Sequence, residues 1–315
     1  MARTEVGILL AALALAAVLF SQSTAPSKSE FQLWKEKFNT KYESVFEESY
    51  RERLFLENLA QINAHNSNEF RTYEQGVNQF TAMTQEEFEQ NYLGLIVDQP
   101  EIVEEEQVNA VPNDDIDWVA KGAVTPVKNQ GQCGSCWAFS ATGGLEGLSK
   151  VSGGSLESFS ESQLVDCSGK YGNQACNGGL MDNAFKFVKD NGIVHEDEYP
   201  YKPVKQTCKM QTGNFKISGF TDIKKCSDLI KALQDRPVSI AVDATNWSRY
   251  SSGVFSNCRT SLNHGVLLVG SQGGNWVVKN SWGTGWGQKG FITLEGKNNS
   301  ANTCGLCNVA SYPNK

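Results

Sequence analysis

Two cysteines stand three positions apart in the stretch QGQCGSCWAFS, which covers residues 130–140. Such a C-x-x-C pair can be a redox-active dithiol, half of a zinc site, or two cysteines with separate roles. A redox pair normally follows an apolar strand, but the residues before Cys133, TPVKNQGQ, are typical of a loop. Paired zinc-binding motifs usually lie about 15–20 residues apart, and the second pair, Cys304 and Cys307, lies far downstream.

The third interpretation makes Cys136 a nucleophile and Cys133 a structural cysteine. A thiol attacks as its thiolate, and the positive potential at a helix N-terminus favours that state. Cys136 directly precedes an apolar helical pattern that starts at Trp137, whereas Cys133 lies in the loop before it. The sequence therefore favours Cys136 as the attacking residue.

A cysteine nucleophile needs a base and a residue that orients the base. His195 is flanked by acidic residues and is interpreted as part of a solvated loop. His264 opens an apolar strand and is the candidate base. Asn280 follows the next strand and is the candidate orienting residue, and Trp282 would shield their hydrogen bond from water.

The elements that must position these residues are helices first and strands later. Helices are predicted from Trp137, over SESQLVDC with a capping box between Ser160 and Gln163, and over MDNAFKFVKDNG. Strands are predicted over residues 237–244, 264–272, 275–282 and 290–296. Helices followed by strands without regular alternation indicate an α+β fold with two packed halves.

Charge divides the chain near residue 111. Residues 1–111 carry 8 Lys+Arg and 18 Asp+Glu, a net charge of −10, and residues 112–315 carry a net charge of +3. The second part is too weakly basic for a nucleic-acid-binding surface. Residues 96–111 are acidic and poor in aromatics, which is typical of a linker that proteases cut.

The acidic part of the chain is predicted to be helical. A short helix would place Phe31, Leu33, Trp34 and Phe38 on one face. A longer amphipathic helix within residues 42–70 would bury a second set at helical spacing, namely Phe46, Tyr50, Leu54, Leu56, Leu59 and Ile62.

The first 25 residues have the pattern of a secretory signal peptide. Arg3 precedes an apolar run at 7–20 that is short for a membrane span and ends in small residues. Secretion implies an oxidising compartment, where the nine cysteines would form disulfides and leave one thiol free. Asn246 and Asn298 begin N-glycosylation tripeptides.

Four stretches together resemble the papain-like cysteine proteases, and within that family the cathepsin L type: QGQCGSCWAFS, CNGGLMDNAF, LNHGVLLVG and KNSWGTGWG. The family signature C-G-[SA]-C-[WY] has its His and Asn about 130–150 residues downstream. Here the separations from Cys136 are 128 residues to His264 and 144 to Asn280.

The acidic part resembles the inhibitory propeptide of the same family. Its pattern E-x3-R-x3-F-x2-N-x3-I-x3-N is matched by Glu47, Arg51, Phe55, Asn58, Ile62 and Asn66. The next motif, G-x-N-x-F-x-D, is matched at Gly76, Asn78 and Phe80, but Ala82 replaces the aspartate. In the family that acid is thought to help trigger release at low pH, and this chain lacks that part of the trigger.

The resemblance implies a fold and a domain order. The fold would be a papain-like α+β fold with a helical lobe, an antiparallel β-barrel-like lobe and an active-site cleft between them, preceded by a helical propeptide. The order would be a signal peptide at 1–25, an inhibitory propeptide at 26–111 with its linker at 96–111, and a mature peptidase at 112–315.

The resemblance also implies residue roles. Cys136 would be the nucleophile, His264 its base, Asn280 the residue that holds the ring and Gln130 a donor to the oxyanion. The implied substrate-binding residues are Gly178, Gly179, Leu180, Met181, Ala241, Leu262, Val309 and Trp282. The implied disulfides are Cys133–Cys176, Cys167–Cys208 and Cys258–Cys304, and the two cysteines left over, Cys226 and Cys307, would form a fourth.

The predicted function is that of a cysteine endopeptidase made as an inactive precursor. It would prefer Leu, Phe or Val in the second subsite, act on proteins and peptides as a monomer, and be inhibited by its own propeptide. It would need no cofactor or metal, bind no nucleic acid or membrane, and reach a lysosome, a phagosome or the cell exterior. The alternatives are a catalytically idle papain-like binding protein and a dithiol oxidoreductase.

Overall fold

The computed structural model describes residues 28–97 and 115–315. The predicted signal peptide and residues 98–111 of the predicted linker lie outside these ranges. The internal contacts divide the chain into two compact units, Met1–Glu48 and Ser49–Lys315. None of the helices within the described ranges has the length and apolar character needed to cross a bilayer.

Helices come first along the chain and strands dominate its second half. The helices are α1 (Glu30–Lys37), α2 (Val45–Asn66), α3 (Gln85–Tyr92), α4 (Cys136–Val151), α5 (Glu161–Cys167), α6 (Met181–Asn191) and α7 (Cys226–Asp235). The strands are β1 (Tyr73–Gln75), β2 (Ile116–Asp117), β3 (Gly219–Ile223), β4 (Val238–Val242), β5 (Tyr250–Phe255), β6 (His264–Gln272), β7 (Asn275–Lys279), β8 (Phe291–Leu294) and β9 (Ala310–Asn314).

The smaller unit contains α1 and the start of α2. The Ser29 hydroxyl caps α1 by accepting the N–H of Gln32 at 3.2 Å. Phe31 stacks between Trp34 and Tyr42, with ring centroids 5.7 and 6.3 Å away. Leu33 is 53% exposed, so the face predicted for α1 includes Phe31 and Trp34 but not Leu33.

Helix α2 buries a different face from the one that its apolar residues predict. Phe55 and Ile62 are buried, whereas Phe46 is 90% exposed and Leu56 is 52% exposed. Leu54, Leu59 and Asn58 are half-buried on the same side, and Asn58 donates its amide to the carbonyls of Thr81 and Met83. The prediction is wrong for Phe46, Tyr50 and Leu56, because these residues lie outside the face that packs.

One sheet carries the C-terminal half. Its strand order is β1-β5-β8-β7-β6-β4-β9-β3, with β2 paired to β6. All pairs are antiparallel except β5 with β8. Strand β1 lies before the predicted linker, so residues 73–75 extend a sheet that is otherwise built from the body of the protein.

Two apolar cores organise the larger unit. The helical cluster comprises buried residues from α4, α5, α6 and their surroundings, including Trp137, Leu145, Phe159, Leu164 and Phe185. The sheet cluster lies among the strands and includes Trp247, Trp276 and Trp286. It also contains Phe80, Phe88 and Tyr92, so the segment after α2 completes the core of the sheet half.

The predicted elements occur with shifted ends. Helix α6 ends at Asn191 before Gly192, whose φ of +79° only glycine adopts readily, as the Asn-Gly signal predicts.

Half of the predicted capping box of α5 forms. Ser160 accepts the N–H of Gln163 at 3.0 Å, but the Gln163 side chain bonds Val194 and Met210 instead of the cap. The complete capping box belongs to α3, between Thr84 and Glu87.

Four disulfides are present: Cys133–Cys176, Cys167–Cys208, Cys226–Cys307 and Cys258–Cys304. They are the three pairs that the resemblance implies and the fourth between the cysteines left over. All nine cysteines lie in the described ranges, and Cys136 is the one without a disulfide partner.

Candidate active site

Cys136 lies at the first position of α4 and is fully buried. Its Sγ accepts the backbone N–H of Gly265, the residue after His264, at 3.4 Å. Helix α4 and strand β6 are joined further along, where the Ser140 hydroxyl donates to the carbonyl of Val266 at 2.6 Å. The helix start and the strand start therefore bring the predicted nucleophile and base to one place.

The two C-x-x-C pairs are each divided between different bonds. Cys133 is bonded to Cys176 and so cannot form a dithiol with Cys136. Cys304 and Cys307 are bonded to Cys258 and Cys226. Sulfurs held in disulfides are not thiolate ligands, so neither pair has the chemistry of a zinc site.

His264 and Asn280 are in direct contact. The Nε2 of His264 lies 2.8 Å from the Oδ1 of Asn280, and both residues are buried. The ring of Trp282 lies 4.7 Å from the imidazole, which excludes water from this bond. Asn280 immediately follows β7, and His264 opens β6, so the sheet fixes both backbones.

The hydrogen bonds define which nitrogen of His264 is the base. Oδ1 of Asn280 also accepts the N–H of Ser281 at 2.8 Å, which identifies it as the oxygen. Nε2 must therefore donate, and the neutral ring leaves Nδ1 as its acceptor. Nδ1 is buried and has no hydrogen-bond partner, so it is available to take a proton.

Gln130 is fully buried beside the loop that carries Cys133. Its Oε1 accepts the hydroxyl of Ser281 at 2.7 Å, which turns the amide nitrogen towards the cleft. That nitrogen donates to the carbonyl of Cys133 at 2.9 Å and to the carbonyl of Tyr92 at 3.1 Å. An oxygen from the N-terminal region thus contacts the donor predicted to bind an oxyanion.

Residues 92–97, which we call the cleft segment, lie across the site. The backbone N–H of Gly94 is among the groups that oppose the rise in the pKa of the Cys136 thiol, and the Gly94 carbonyl accepts the N–H of Gly179 at 2.9 Å. Leu95 donates to the carbonyl of Asn263, and Ile96 donates to the carbonyl of Gly179. The backbone of the cleft segment therefore bonds both walls of the site and lies beside the nucleophile.

Position 94 has room for glycine alone. A Cβ at this position would lie 2.1 Å from the carbonyl oxygen of Gly134, inside the loop that carries Cys133. The motif FEQNYLGL contains this glycine, but its contact depends on tertiary structure, so the motif alone assigns it no role. The flanking Leu93 and Leu95 were the available signal, since a glycine between two apolar residues permits close backbone approach.

Covering the site changes the protonation of its two central groups. Burial raises the pKa of the Cys136 thiol to about 11, although backbone N–H groups, among them that of Gly265, oppose the shift. Burial also lowers the pKa of His264 to about 4, against the effect of Asn280. Both groups are therefore neutral at pH 7 while the cleft segment is in place.

The candidate substrate-binding residues lie beside the cleft segment. Met181, Ala241 and Leu262 are buried in the helical cluster, and Leu95 and Val309 pack against that cluster. A Cβ at Gly178 would meet Ile96 at 2.8 Å, and one at Gly179 would meet the Trp137 ring at 2.7 Å. Leu180 is half-buried, and its N–H donates to Asn173. Trp282 contacts His264 instead of this apolar wall.

Trp282 is also the point where the N-terminal region is anchored. Phe80 and Phe88 meet its ring edge-to-face at 5.4 and 5.2 Å. The amide of Gln79 donates to the Trp282 carbonyl at 2.7 Å, and that of Asn78 donates to the carbonyl of Ser248 at 2.7 Å. The aromatic ring that shields His264 on one side thus receives the GVNQF motif on the other.

Two family models match the chain. One, described as papain family cysteine protease, covers residues 112–314, and the other, described as cathepsin propeptide inhibitor domain (I29), covers residues 31–88. "Cathepsin L 2" of Paramecium tetraurelia is 45% identical over 287 residues, which are 89% of this chain and 90% of that protein. "Digestive cysteine proteinase 1" of Homarus americanus is 41% identical and covers 95% of this chain and 98% of that protein.

Solved structures with the same architecture include precursors. The digestive procathepsin L 3 of Tenebrio molitor larval midgut superposes with a TM-score of 0.80 at 38% identity, covering 91% of this chain and all of that one. The recombinant stem bromelain precursor has a TM-score of 0.81 at 36% identity and covers 90% of this chain and 97% of that one.

Proposed function

Because the chain belongs to the papain family of cysteine proteases and carries a cathepsin-type inhibitory propeptide, we propose that it is the precursor of an endopeptidase in which Cys136 is the nucleophile. The observation that supports this most directly is that Cys136 forms no disulfide, whereas the other eight cysteines form four. Its free thiol lies at the start of a helix and accepts the N–H of Gly265, the residue after His264. The imidazole of His264 has one nitrogen without a hydrogen-bond partner.

The proposed reaction starts once the cleft segment has left. Nδ1 of His264 takes the Cys136 proton, and the thiolate attacks the carbonyl carbon of the scissile peptide bond. The carbonyl oxygen becomes an oxyanion that accepts hydrogen bonds from the Gln130 amide and the backbone N–H of Cys136. The imidazolium then protonates the leaving nitrogen, the C–N bond breaks and a thioester remains.

The second half of the reaction restores the enzyme. His264 takes a proton from a water molecule, and the resulting hydroxide attacks the thioester carbonyl. The C–S bond breaks, the carboxylic acid product leaves, and the imidazolium returns its proton to the sulfur. Asn280 holds the ring so that Nδ1 faces the reaction in both halves.

Subsite preference follows from apolar lining. We propose that Leu180, Met181, Ala241, Leu262 and Val309 form the second subsite, together with the backbone of Gly178 and Gly179. The seating of Leu95 against the same cluster supports an apolar side chain at this point. Leu, Phe or Val should be preferred there, and Val309→Asp should shift the preference towards Arg. Peptide profiling that finds Arg cleaved as fast as Leu by the wild type would contradict this lining.

The domain order and route of synthesis are part of the proposal. Residues 26–111 would be removed to leave a mature, monomeric enzyme of residues 112–315. Four disulfides support synthesis through the secretory pathway, with delivery to a lysosome, a phagosome or the exterior.

Titration of the activated enzyme with a peptidyl epoxide tests the function. One equivalent should attach to Cys136 and abolish peptide hydrolysis, and Cys136→Ala should neither react nor hydrolyse. Labelling without any hydrolysis by the wild type would indicate an idle binding protein. Thiol–disulfide exchange activity that persists after Cys136 has been labelled would indicate an oxidoreductase.

A further inference from the structure

The residue before the nucleophile uses its side chain in an unusual way. Ser135 is the N-cap residue of α4, where a serine hydroxyl normally accepts an N–H of the first turn and stabilises the helix. Here it makes no such bond. The hydroxyl is fully buried and lies 2.7 Å from the phenol oxygen of Tyr201.

Tyr201 connects Ser135 to Gln130. Its hydroxyl donates to the Gln130 carbonyl at 2.8 Å. A phenol has one proton to give, so the Ser135 hydroxyl must be the donor in the other bond. The result is a directed chain from Ser135 through Tyr201 to Gln130, and burial raises the pKa of Tyr201, so the phenol keeps its proton.

The two ends of this chain carry the two proposed oxyanion donors. The side chain of Gln130 is one donor. The other, the N–H of Cys136, belongs to the peptide unit that Ser135 begins. Both Gln130 and Ser135 are fully buried, so neither group could turn to water if Tyr201 were lost.

Packing fixes Tyr201 in place. Its ring meets Phe139 of α4 edge-to-face at 4.8 Å, and its N–H donates to a carboxylate oxygen of Glu196 at 2.7 Å. Two residues on, the side chain of Pro203 lies 3.0 Å from where a Cβ of Gly131 would stand. The loop around Tyr201 therefore lies directly on the loop that follows Gln130.

We infer that Tyr201 is a positioning residue that sets the spacing of the two oxyanion donors. This inference rests on the proposed function. The Tyr201 phenol touches no reacting atom. Its effect is expected on the tetrahedral states, which need both donors, and not on the formation of the thiolate or on ground-state binding of the peptide.

The test compares Tyr201→Phe with Tyr199→Phe in the acid-activated enzyme. Tyr199 lies on the same loop and also loses a phenol bond, to Asp166 at 2.7 Å, but it does not reach the site. Tyr201→Phe should lower kcat about tenfold or more, less than the roughly 10²–10³-fold that loss of an oxyanion donor itself causes. Binding of a peptide aldehyde, which forms a tetrahedral adduct, should weaken by a similar factor.

Two measurements separate positioning from general damage. KM and the rate of Cys136 alkylation by iodoacetamide should change by less than about twofold, because neither needs an oxyanion. Tyr199→Phe should leave all four quantities unchanged. If Tyr201→Phe does not mature, Ser135→Ala removes the other bond of the same chain and should give the same split with a smaller loss.

Three outcomes would overturn the inference. An unchanged kcat in Tyr201→Phe would show that the chain of bonds does not matter. A fall in alkylation as large as the fall in kcat would show that Tyr201 supports the fold of the site and not its donors. A wild-type enzyme that is alkylated at Cys136 but hydrolyses no peptide would refute the proposed function, and this inference with it.

Discussion

The protein's own N-terminal region reaches the residues proposed to act in the reaction. The Gly94 N–H acts on the Cys136 thiol, the Tyr92 carbonyl accepts the Gln130 amide, and Phe80 packs on the tryptophan that shields His264. The same burial that blocks substrate also keeps the thiol and the imidazole neutral. Inhibition at this scale is therefore both steric and electrostatic.

The protonation state of Cys136 should change on activation. In the precursor its pKa of about 11 and the His264 pKa of about 4 leave both groups uncharged between those values. Removal of the cleft segment restores contact with water, so a thiolate–imidazolium pair becomes favourable at neutral pH. Alkylation by iodoacetamide should then rise with pH only above about 9 in the precursor, but reach a plateau by about pH 7 in the mature enzyme.

The measurement is the second-order alkylation rate from pH 4 to pH 10, with the labelled residue identified by peptide mapping. Cys136→Ser provides the background rate. Identical pH profiles for precursor and mature enzyme would show that burial by the cleft segment does not control ionisation.

The structure brings together the three proposed catalytic residues that stand in local sequence motifs. Cys136, His264 and Asn280 lie around one point. The contact of the Gln130 amide with the Tyr92 carbonyl could not be predicted, because the acceptor is a backbone carbonyl and every residue has one. Tyr201 was missed for a different reason: its partners lie some 70 positions earlier in the chain.

At the scale of elements, the N-terminal region is held together by α2 and α3. Arg51 of α2 makes a two-pronged bond to the carboxylate of Glu87 in α3, at 2.6 and 2.7 Å. Glu87 also completes the capping box with Thr84. A third bond from Arg51 reaches the carbonyl of Ala82, the position where the family motif has an acid. We expect Glu87 to be the acid that responds to low pH in this chain.

Glu87→Gln should let the precursor mature at higher pH. The Arg51 side chain holds the pKa of Glu87 below its usual value of 4.5, so the stabilisation is present above that value and is lost as pH falls through the lowered pKa. The amide removes it at every pH. We expect the pH of half-maximal conversion to rise, measured by gel from pH 7 to pH 3.5, with Glu86→Gln on the same helix as the control.

Gly94→Ala should make the precursor leaky. The added Cβ meets the backbone of Gly134 at 2.1 Å, and backbone cannot move aside cheaply. The cleft segment would have to lift, which exposes the sulfur. Precursor activity on a small peptide at pH 7 should rise well above that of the wild type. Gly169→Ala is the matched control, because a Cβ there meets nothing within 4 Å. Equal precursor activities of Gly94→Ala and the wild type would show that the cleft segment binds normally despite the added Cβ.

Strands β3, β5 and β9 and helix α7 lay outside the predicted elements. The strands are short and form where partners are already in place: β9 pairs with both β3 and β4. Helix α7 buries Leu229, Ile230 and Leu233 at helical spacing, a pattern that predicts a helix and was overlooked. Of the strands that were predicted, β4 and β6 are almost wholly buried and carry long apolar runs, whereas β7 and β8 contain both buried and half-buried residues.

At the scale of the whole molecule, a buried charged network joins the helical and sheet halves. Lys128 binds Glu146 of α4 and Glu161 of α5 at 2.8 and 2.6 Å. Lys279 of β7 donates to Thr125, which in turn donates to Glu146. Burial raises the pKa of Glu161, and burial together with Glu161 raises the pKa of Glu196 to about 7.

This network should make the mature enzyme more stable in acid than at neutral pH. A carboxyl with a raised folded pKa stabilises fully below its unfolded value of 4.5, and that stability is lost as pH rises through about 7. Glu196→Gln removes the titration, so the difference in Tm between pH 5 and pH 7.5 should shrink. The exposed Asp197→Asn should leave it unchanged. A wild-type Tm that rises from pH 5 to pH 7.5 would contradict this account.

The opposite net charges of the two parts predicted attraction between them. The contacts that the structure describes across this boundary include amide and backbone hydrogen bonds and aromatic packing, as at Gln79 and Trp282. One charged side chain, that of Arg249, donates to the Gln61 amide oxygen at 2.6 Å. Charge can guide the approach of the two parts at long range, while hydrogen bonds and packing hold the docked state. Added salt should therefore release the N-terminal region less readily than acid does.

Inhibitor and enzyme occupy a single polypeptide, and this tether decides how the precursor responds to dilution. While the tether is intact, the effective concentration of the inhibitor stays fixed, so even one isolated molecule remains silent. One cut between them turns the same contacts into an encounter of two separate partners. From then on, dilution alone favours dissociation of the cleaved inhibitor and so activates the enzyme.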